Sequence, residues 1–241
     1  MCTVTYIPHL RDNPFVLTSN RDEKVLRPTI PPAIYHHGSF EVAYPKDEKA
    51  GGSWIAMNNT GNVNCLLNGG FIPHKKQELH TISRGIILLE FTSSGLSAHE
   101  FFAPKVLANV EPFTIVAVKH INGNIGDLTE FIWDGNDKYF RQMDKSSPHI
   151  WSSVTLYNDE HRKMRKEWFE KFYKEDRDNM TTEKILDFHS GTHSKDNSIN
   201  VIMYRDGGLK TVSITQVSVS DGQSKMSYSD LLNGSIKKIQ L

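Results

Sequence analysis

Cys2 concentrates more reactive chemistry than any other position in the chain. Only Met1 precedes it, and a small side chain at the second position favours removal of an initiator methionine, so the mature protein is expected to begin at Cys2. A terminal cysteine carries a thiol and a free α-amine on one residue. The amine's reference pKa of ~7.7–8.0 lies within about a unit of the thiol's ~8.5, so it can act as base for a nucleophilic thiolate. The alternative for Cys2 is a small buried residue opening a strand. Asn20-Arg21-Asp22-Glu23 supplies possible partners. An Asp22 carboxylate near the amine would orient it and favour its ammonium form, while Arg21 would keep the site electropositive and depress the thiol pKa. Without such proximity, the tetrapeptide is a strand end with mixed surface charge. Asn68, followed by Gly69-Gly70, fits an oxyanion donor beside backbone that a ligand can approach closely; the competing reading, which sequence alone favours, is a hairpin turn built on Asn-Gly. Trp54 in Gly51-Gly52-Ser53-Trp54 reads as the aromatic wall of a flexible rim or as a core anchor.

These groups need elements to bring them together. Cys2 to Ile7 and Phe15 to Asn20 alternate polar and apolar residues, and Arg11-Asp12-Asn13-Pro14 between them is a turn signal. A hairpin centred near Asp12 pairs Cys2 with Asp22 and Thr3 with Arg21, give or take a place or two, and carries Asn20-Arg21-Asp22 back beside the N-terminus. Pro28, Pro31 and Pro32 mark an irregular segment; Gly51 to Met57 then leads into a strand, Asn58-Asn59-Thr60-Gly61 turns it, Asn62 to Leu67 returns, and Asn68-Gly69-Gly70 closes this second hairpin. Helices are expected around Ile82 to Phe91 and from Ser97 to Val110. Strands follow at 113–119, 126–133, 138–142 and 149–155. Asn158 caps a helix over 159–174 with Met164, Trp168 and Phe172 as a packing stripe, and a shorter helix covers 182–188. Strands at 198–204, 210–218 and 225–228 close the chain. Strands, two helices, strands, two helices, strands predicts an α+β fold: one domain over residues 1–241, with two packed antiparallel sheets and helices on the outer faces.

The 241 residues carry 28 basic and 28 acidic side chains, and no Lys/Arg run exceeds two, so nothing marks a nucleic-acid partner. No apolar run is long enough to span a bilayer, no secretory layout opens the chain, and two cysteines suit a reducing compartment; the cytoplasm is expected. His189 and His193 stand at i, i+4, but Gly191 falls between them and no third ligand is in view, so no metal site is expected. His36-His37 reads as exposed, and Cys65, in an apolar strand, as inert. No cofactor fingerprint occurs.

Met1-Cys2-Thr3, Ser19-Asn20-Arg21-Asp22-Glu23, Arg27-Pro28 and Gly51-Gly52-Ser53-Trp54-Ile55 resemble the NRDE family, that of the transport and Golgi organisation protein 2. Similarity continues loosely through Asn68, Trp151-Ser152-Ser153 and Gly191-Thr192. That family looks like a branch of the N-terminal nucleophile hydrolases, related to penicillin V acylase and bile salt hydrolase. The resemblance implies a four-layer αββα sandwich and amide hydrolysis through an N-terminal cysteine. Asn20-Arg21-Asp22 matches the relatives' Asn-x-Asp element, so Asp22 inherits the amine-orienting role, and their oxyanion asparagine falls at Asn68. Two departures stand out: Ser153 occupies the place of a second asparagine, and His193 or Lys195 is the nearest match to a basic residue near the C-terminal strands.

The expected activity is hydrolysis of a linear amide through a Cys2 thioester, with Asp22, Arg21 and Asn68 assisting and Asn20, Trp54, Ser153 and His193 as secondary contacts. The expected partner is a small amide- or acyl-containing ligand. The alternative is a non-catalytic binder of an acyl or haem-like apolar ligand with a trafficking or homeostatic role.

Overall fold

A computed structural model describes residues 3–10, 13–121, 124–220 and 223–241. Cys2, Met1 and the turn at Arg11-Asp12 lie outside the described residues.

The first sheet contains β1 (Thr3–Leu10), β2 (Asn13–Lys24), β10 (His149–Ser152), β11 (Tyr204–Arg205), β12 (Leu209–Ser220), β13 (Gln223–Asp230) and β14 (Ile236–Gln240). Its order is β10-β1-β2-β12-β13-β14, with β11 paired to β12. The second contains β3 (Thr29–His37), β4 (Phe40–Asp47), β5 (Ile55–Asn58), β6 (Val63–Asn68), β7 (Phe113–Ile121), β8 (Asn124–Trp133) and β9 (Lys138–Gln142), neighbours in chain order. Every described strand pairing is antiparallel.

Strand alternation sorts side chains between two kinds of interior. Val4, Tyr6, Phe15 and Leu17 enter the core between the sheets, with Ile55, Met57, Cys65 and Val116 from the facing sheet. Ile7, Leu10 and Val16 point the other way and meet Phe169 of α3 (Asp159–Asp176) and Ile185 and Phe188 of α4 (Thr182–Ser190). On the opposite outer face, Phe113, Ile115 and Phe131 pack on Ile87, Leu88 and Phe91 of α1 (Arg84–Thr92) and Phe102 of α2 (Ala98–Phe102). The result is an αββα sandwich. No helix among the described residues is long and apolar enough to cross a membrane.

Several sequence expectations need correction. The segment expected to be irregular after Pro28 forms β3 and β4. Pro31 and Pro32 are accommodated because β3 is an edge strand, with a register shift between Ile30 and Ala33. The helix expected over 97–110 stops at Phe102: Ala103 keeps αR backbone as its C-cap, but Pro104 has no N–H to continue the ladder; the Ser97–Glu100 capping box is present. The strand expected at 198–204 shrinks to Tyr204–Arg205, because the carbonyls of Ile199, Asn200 and Val201 accept side-chain hydrogen bonds instead of ladder bonds. On α3, capped by Asn158 as expected, the fully buried positions are Arg165 and Phe169; Met164, Trp168 and Phe172 are half-buried.

Candidate active site

The first hairpin is one place out of the expected register: Thr3 faces Asn20, not Arg21. The β2 strand continues past the first described residue of β1 and pairs with β12 through Asp22 and Thr211. A register shift follows immediately, between Thr211 and Ser213.

Alternation sends Asn20 and Asp22 to the helix side and Arg21 to the inter-sheet side. Asn20 is fully buried and committed to structure. Its amide donates to the carbonyls of His189 (2.9 Å) and Val201 (2.8 Å), leaving Oδ1 to accept from His189 Nδ1 at 2.6 Å. The other ring nitrogen, Nε2, accepts from the Thr5 hydroxyl at 2.7 Å. The Asn20 carbonyl oxygen therefore fixes a proton on Nδ1, and in the neutral ring Nε2 accepts from Thr5. Burial, reinforced by the charge of Arg165 and by His193, pushes the His189 pKa down to about 3.

Both oxygens of Asp22 accept hydrogen bonds, one from the Tyr157 hydroxyl (2.9 Å) and one from Thr211 Oγ1 (2.6 Å). Tyr157 is itself held by cations: the guanidinium carbons of Arg165 and Arg205 lie 3.6 Å and 5.3 Å from its ring centroid. Tyr157, Arg165 and Thr211 were not read from the sequence. Their signal is tertiary, since isolated polar residues after a strand or on a charged helix carry no spacing pattern.

Arg21 binds the facing sheet. It donates to Asp47 Oδ2 at 2.6 Å and Thr29 Oγ1 at 2.8 Å, and its guanidinium carbon sits 4.5 Å from the Trp54 ring centroid. Arg27 reaches the same Asp47 oxygen at 2.7 Å, so Asp47 meets two cations. Burial alone would raise the Asp47 pKa; the Ala50 N–H, Arg27 and Arg21 outweigh it and leave the carboxyl below its usual range. Trp54 is buried and lines the adjoining cleft, which joins the two readings offered for it.

Asn68 ends β6 and borders two clefts. One, of about 350 Å³, includes Arg21, Asp47, Trp54 and Arg84 in its walls. The other, of about 430 Å³, runs along Trp151, Ser152 and Ser153 to Arg162 and Lys163 of α3. Gly69 makes the turn possible: φ is +89°, and a Cβ there would fall 2.4 Å from Val154 Cγ2. The Asn68 carbonyl accepts from Ser153 Oγ at 2.7 Å, while its side-chain amide makes no hydrogen bond among the described residues. Ser153 thus supports Asn68, with its hydroxyl directed away from the donor role suggested by sequence. His193 lies elsewhere: its ring meets the Phe188 carbonyl at 3.0 Å, stacks on Trp168 and lines neither cleft.

Cys65 is sealed in the core, and burial pushes its thiol pKa up to about 12 against a weaker opposing hydrogen bond from Ser19. No cluster of three metal-capable side chains occurs among the described residues.

The architecture is the sandwich of the N-terminal nucleophile hydrolases. It superposes on an N-acylethanolamine-hydrolyzing acid amidase ortholog from Caenorhabditis elegans with TM-score 0.59 and 10% identity, covering 89% of this chain and 92% of that one. A C2A mutant conjugated bile acid hydrolase from Clostridium perfringens gives 0.59 and 12%, covering 100% and 92%. Penicillin V acylase from Agrobacterium tumefaciens gives 0.57 and 11%, covering 100% and 86%. The Transport and Golgi organisation 2 family model matches residues 1–226, and the chain belongs to that family. No curated protein matches its sequence significantly.

Proposed function

We propose that this protein is a cysteine amidohydrolase acting on a linear amide, with Cys2 as nucleophile once Met1 has been removed. The observation that carries this reading is Asp22: a buried carboxylate on the strand beside the beginning of β1, held by two hydroxyl donors. Asn68, with an uncommitted amide at the junction of two clefts, supports the same reading. The three structural neighbours named above, an acid amidase, a conjugated bile acid hydrolase and an acylase, add the precedent of the fold.

In this mechanism the Cys2 α-amine takes the thiol proton and sulfur attacks the amide carbonyl. Asn68 donates to the resulting oxyanion, worth roughly 10²–10³ in rate for such a donor. The amine returns the proton to the leaving nitrogen as the C–N bond breaks, giving a thioester. It then takes a proton from water, hydroxide adds to the thioester, and the acid and free thiol are released. Asp22 orients the amine throughout. Arg21 serves the cleft wall, since Asp47 meets its charge. The test is intact-mass analysis of the N-terminus followed by iodoacetamide labelling of wild type, Cys2→Ala and a form with an uncleavable N-terminal extension. Labelling confined to the trimmed wild type is expected; labelling indifferent to Cys2, or unaffected by the extension, defeats the mechanism.

A further inference from the structure

The smaller cleft, of about 350 Å³, holds hydrogen-bond donors that no described residue answers. Helix α1 opens on it with Ser83, Arg84 and Gly85. Ser83 is the N-cap and has extended backbone, yet its side chain makes no capping hydrogen bond, and the first turn holds no acidic residue. The N–H groups of Arg84 and Gly85 donate to nothing among the described residues. A helix start left in this state carries partial positive charge and free donors, which together favour an anion.

An uncapped helix start is by itself no sign of a ligand, and Trp54 supplies the second observation. It lines the same cleft, it is only 4% exposed, and its Nε1–H is buried without an acceptor. An unmet buried donor is costly, and a ligand oxygen that accepts from it removes the cost. Close backbone packing brings the two features together. The Ser53 N–H donates to the Gly85 carbonyl at 3.3 Å, and a Cβ on Gly52 would fall 2.5 Å from Gly85 C. The surrounding charge has the matching sign. Arg21, Arg27, Arg84 and Lys76 line the cleft against the carboxylates of Glu23, Asp47 and Glu111. Those carboxylates are engaged: Asp47 by Arg21 and Arg27, Glu23 by Arg27, and Glu111 by Arg84 at 3.5 Å and His74 at 3.2 Å. Lys76 makes no ion pair among the described residues, which leaves one cation over before His80 is counted.

We infer that this cleft binds the carboxylate of a small-molecule ligand, seated at the start of α1 among the free N–H groups, Trp54 Nε1 and the Lys76 ammonium. One surplus positive charge matches a carboxylate better than a phosphate, which carries nearly two negative charges. Asn68 borders the same cleft, but the anion site does not rest on the amide chemistry proposed above.

The test reads Trp54 directly and needs no turnover. In protein carrying 15N-tryptophan the 4 tryptophans give separate indole N–H signals, and Trp54→Phe assigns the one concerned. Butyrate, titrated at constant ionic strength, should move the Trp54 signal downfield to a plateau, with a midpoint of about 1–10 mM. Straight-chain nitropropane, the uncharged molecule with the same heavy-atom skeleton, should leave the signal in place at equal concentrations. Ser83→Asp supplies an anionic cap to the free N–H groups, stabilises the helix start and should raise the butyrate midpoint by about tenfold. Lys76→Gln, at an exposed position, should raise it by about threefold. No saturable Trp54 shift with butyrate overturns the inference, as does an equal response to nitropropane. An unchanged midpoint in either folded variant also overturns it. A plateau reached with phosphate and not with butyrate overturns the assignment to a carboxylate.

Discussion

At the scale of single residues, the site divides its charges between the two faces of one strand. Asn20 and Asp22 serve the helix side, while Arg21 joins the sheets. Asp22→Asn keeps the size of the group and removes the charge that orients an amine. On the proposed mechanism it should lower kcat/KM for a fluorogenic amide by ~10²-fold or more, with a native circular dichroism spectrum. Arg21→Ala strips Asp47 of one of two cations in a buried cluster and should cost about 3–5 kcal/mol in urea unfolding. His189 gives a pH signature. Its folded pKa of about 3 lies below the unfolded ~6.5, so the neutral form is the one folding favours. The corresponding stability is complete above pH ~6.5 and declines as pH falls from there towards 3. Urea midpoints measured from pH 7 to 4.5 should fall for wild type and lose most of that slope in His189→Gln. Asp47 has a depressed pKa, so its contribution is lost only on further acidification, below the ordinary carboxylate range.

At the scale of elements, close backbone contact shapes the smaller cleft. Gly52 and Gly85 press together: a Cβ on Gly52 would sit 2.5 Å from Gly85 C, and one on Gly85 would sit 2.7 Å from Ser53 O. Gly52→Ala must therefore push the start of α1 away from the Trp54 loop. It should destabilise by about 1–3 kcal/mol, read as a lower urea midpoint. Much of the element order was legible because it rests on local signals: alternation in β1, β2 and β7, and the Asn158 cap of α3. The missed strand β3 contains prolines that its edge position excuses, and Pro45 of β4 lies beyond the residues, Val42 and Ala43, that pair with β5. Asp22 and Asn68 were legible as residue types in a familiar arrangement. Their supporting partners, Tyr157, Thr211 and Ser153, lie 85–189 residues away along the chain, so periodicity gives no access to them. A single-place slip in hairpin register also mattered, because it exchanges the face that each neighbour of Asp22 presents.

At the scale of the whole molecule, the candidate site draws on widely separated parts of the chain. The first sheet needs β1 and β2 from the beginning, β10 from the middle and β12 from residues 209–220. Such long-range pairing makes slow folding the expectation, and a truncation ending before Leu209 should fail to protect the backbone amides of β2 in hydrogen exchange. Synthesis proceeds in the opposite order from assembly. The start of the chain leaves the ribosome first, while β12, the strand that seals β2 on its far side, is among the last to emerge. A peptidase that removes Met1 during translation would therefore meet an unfolded end, long before the closing strand exists to shelter it.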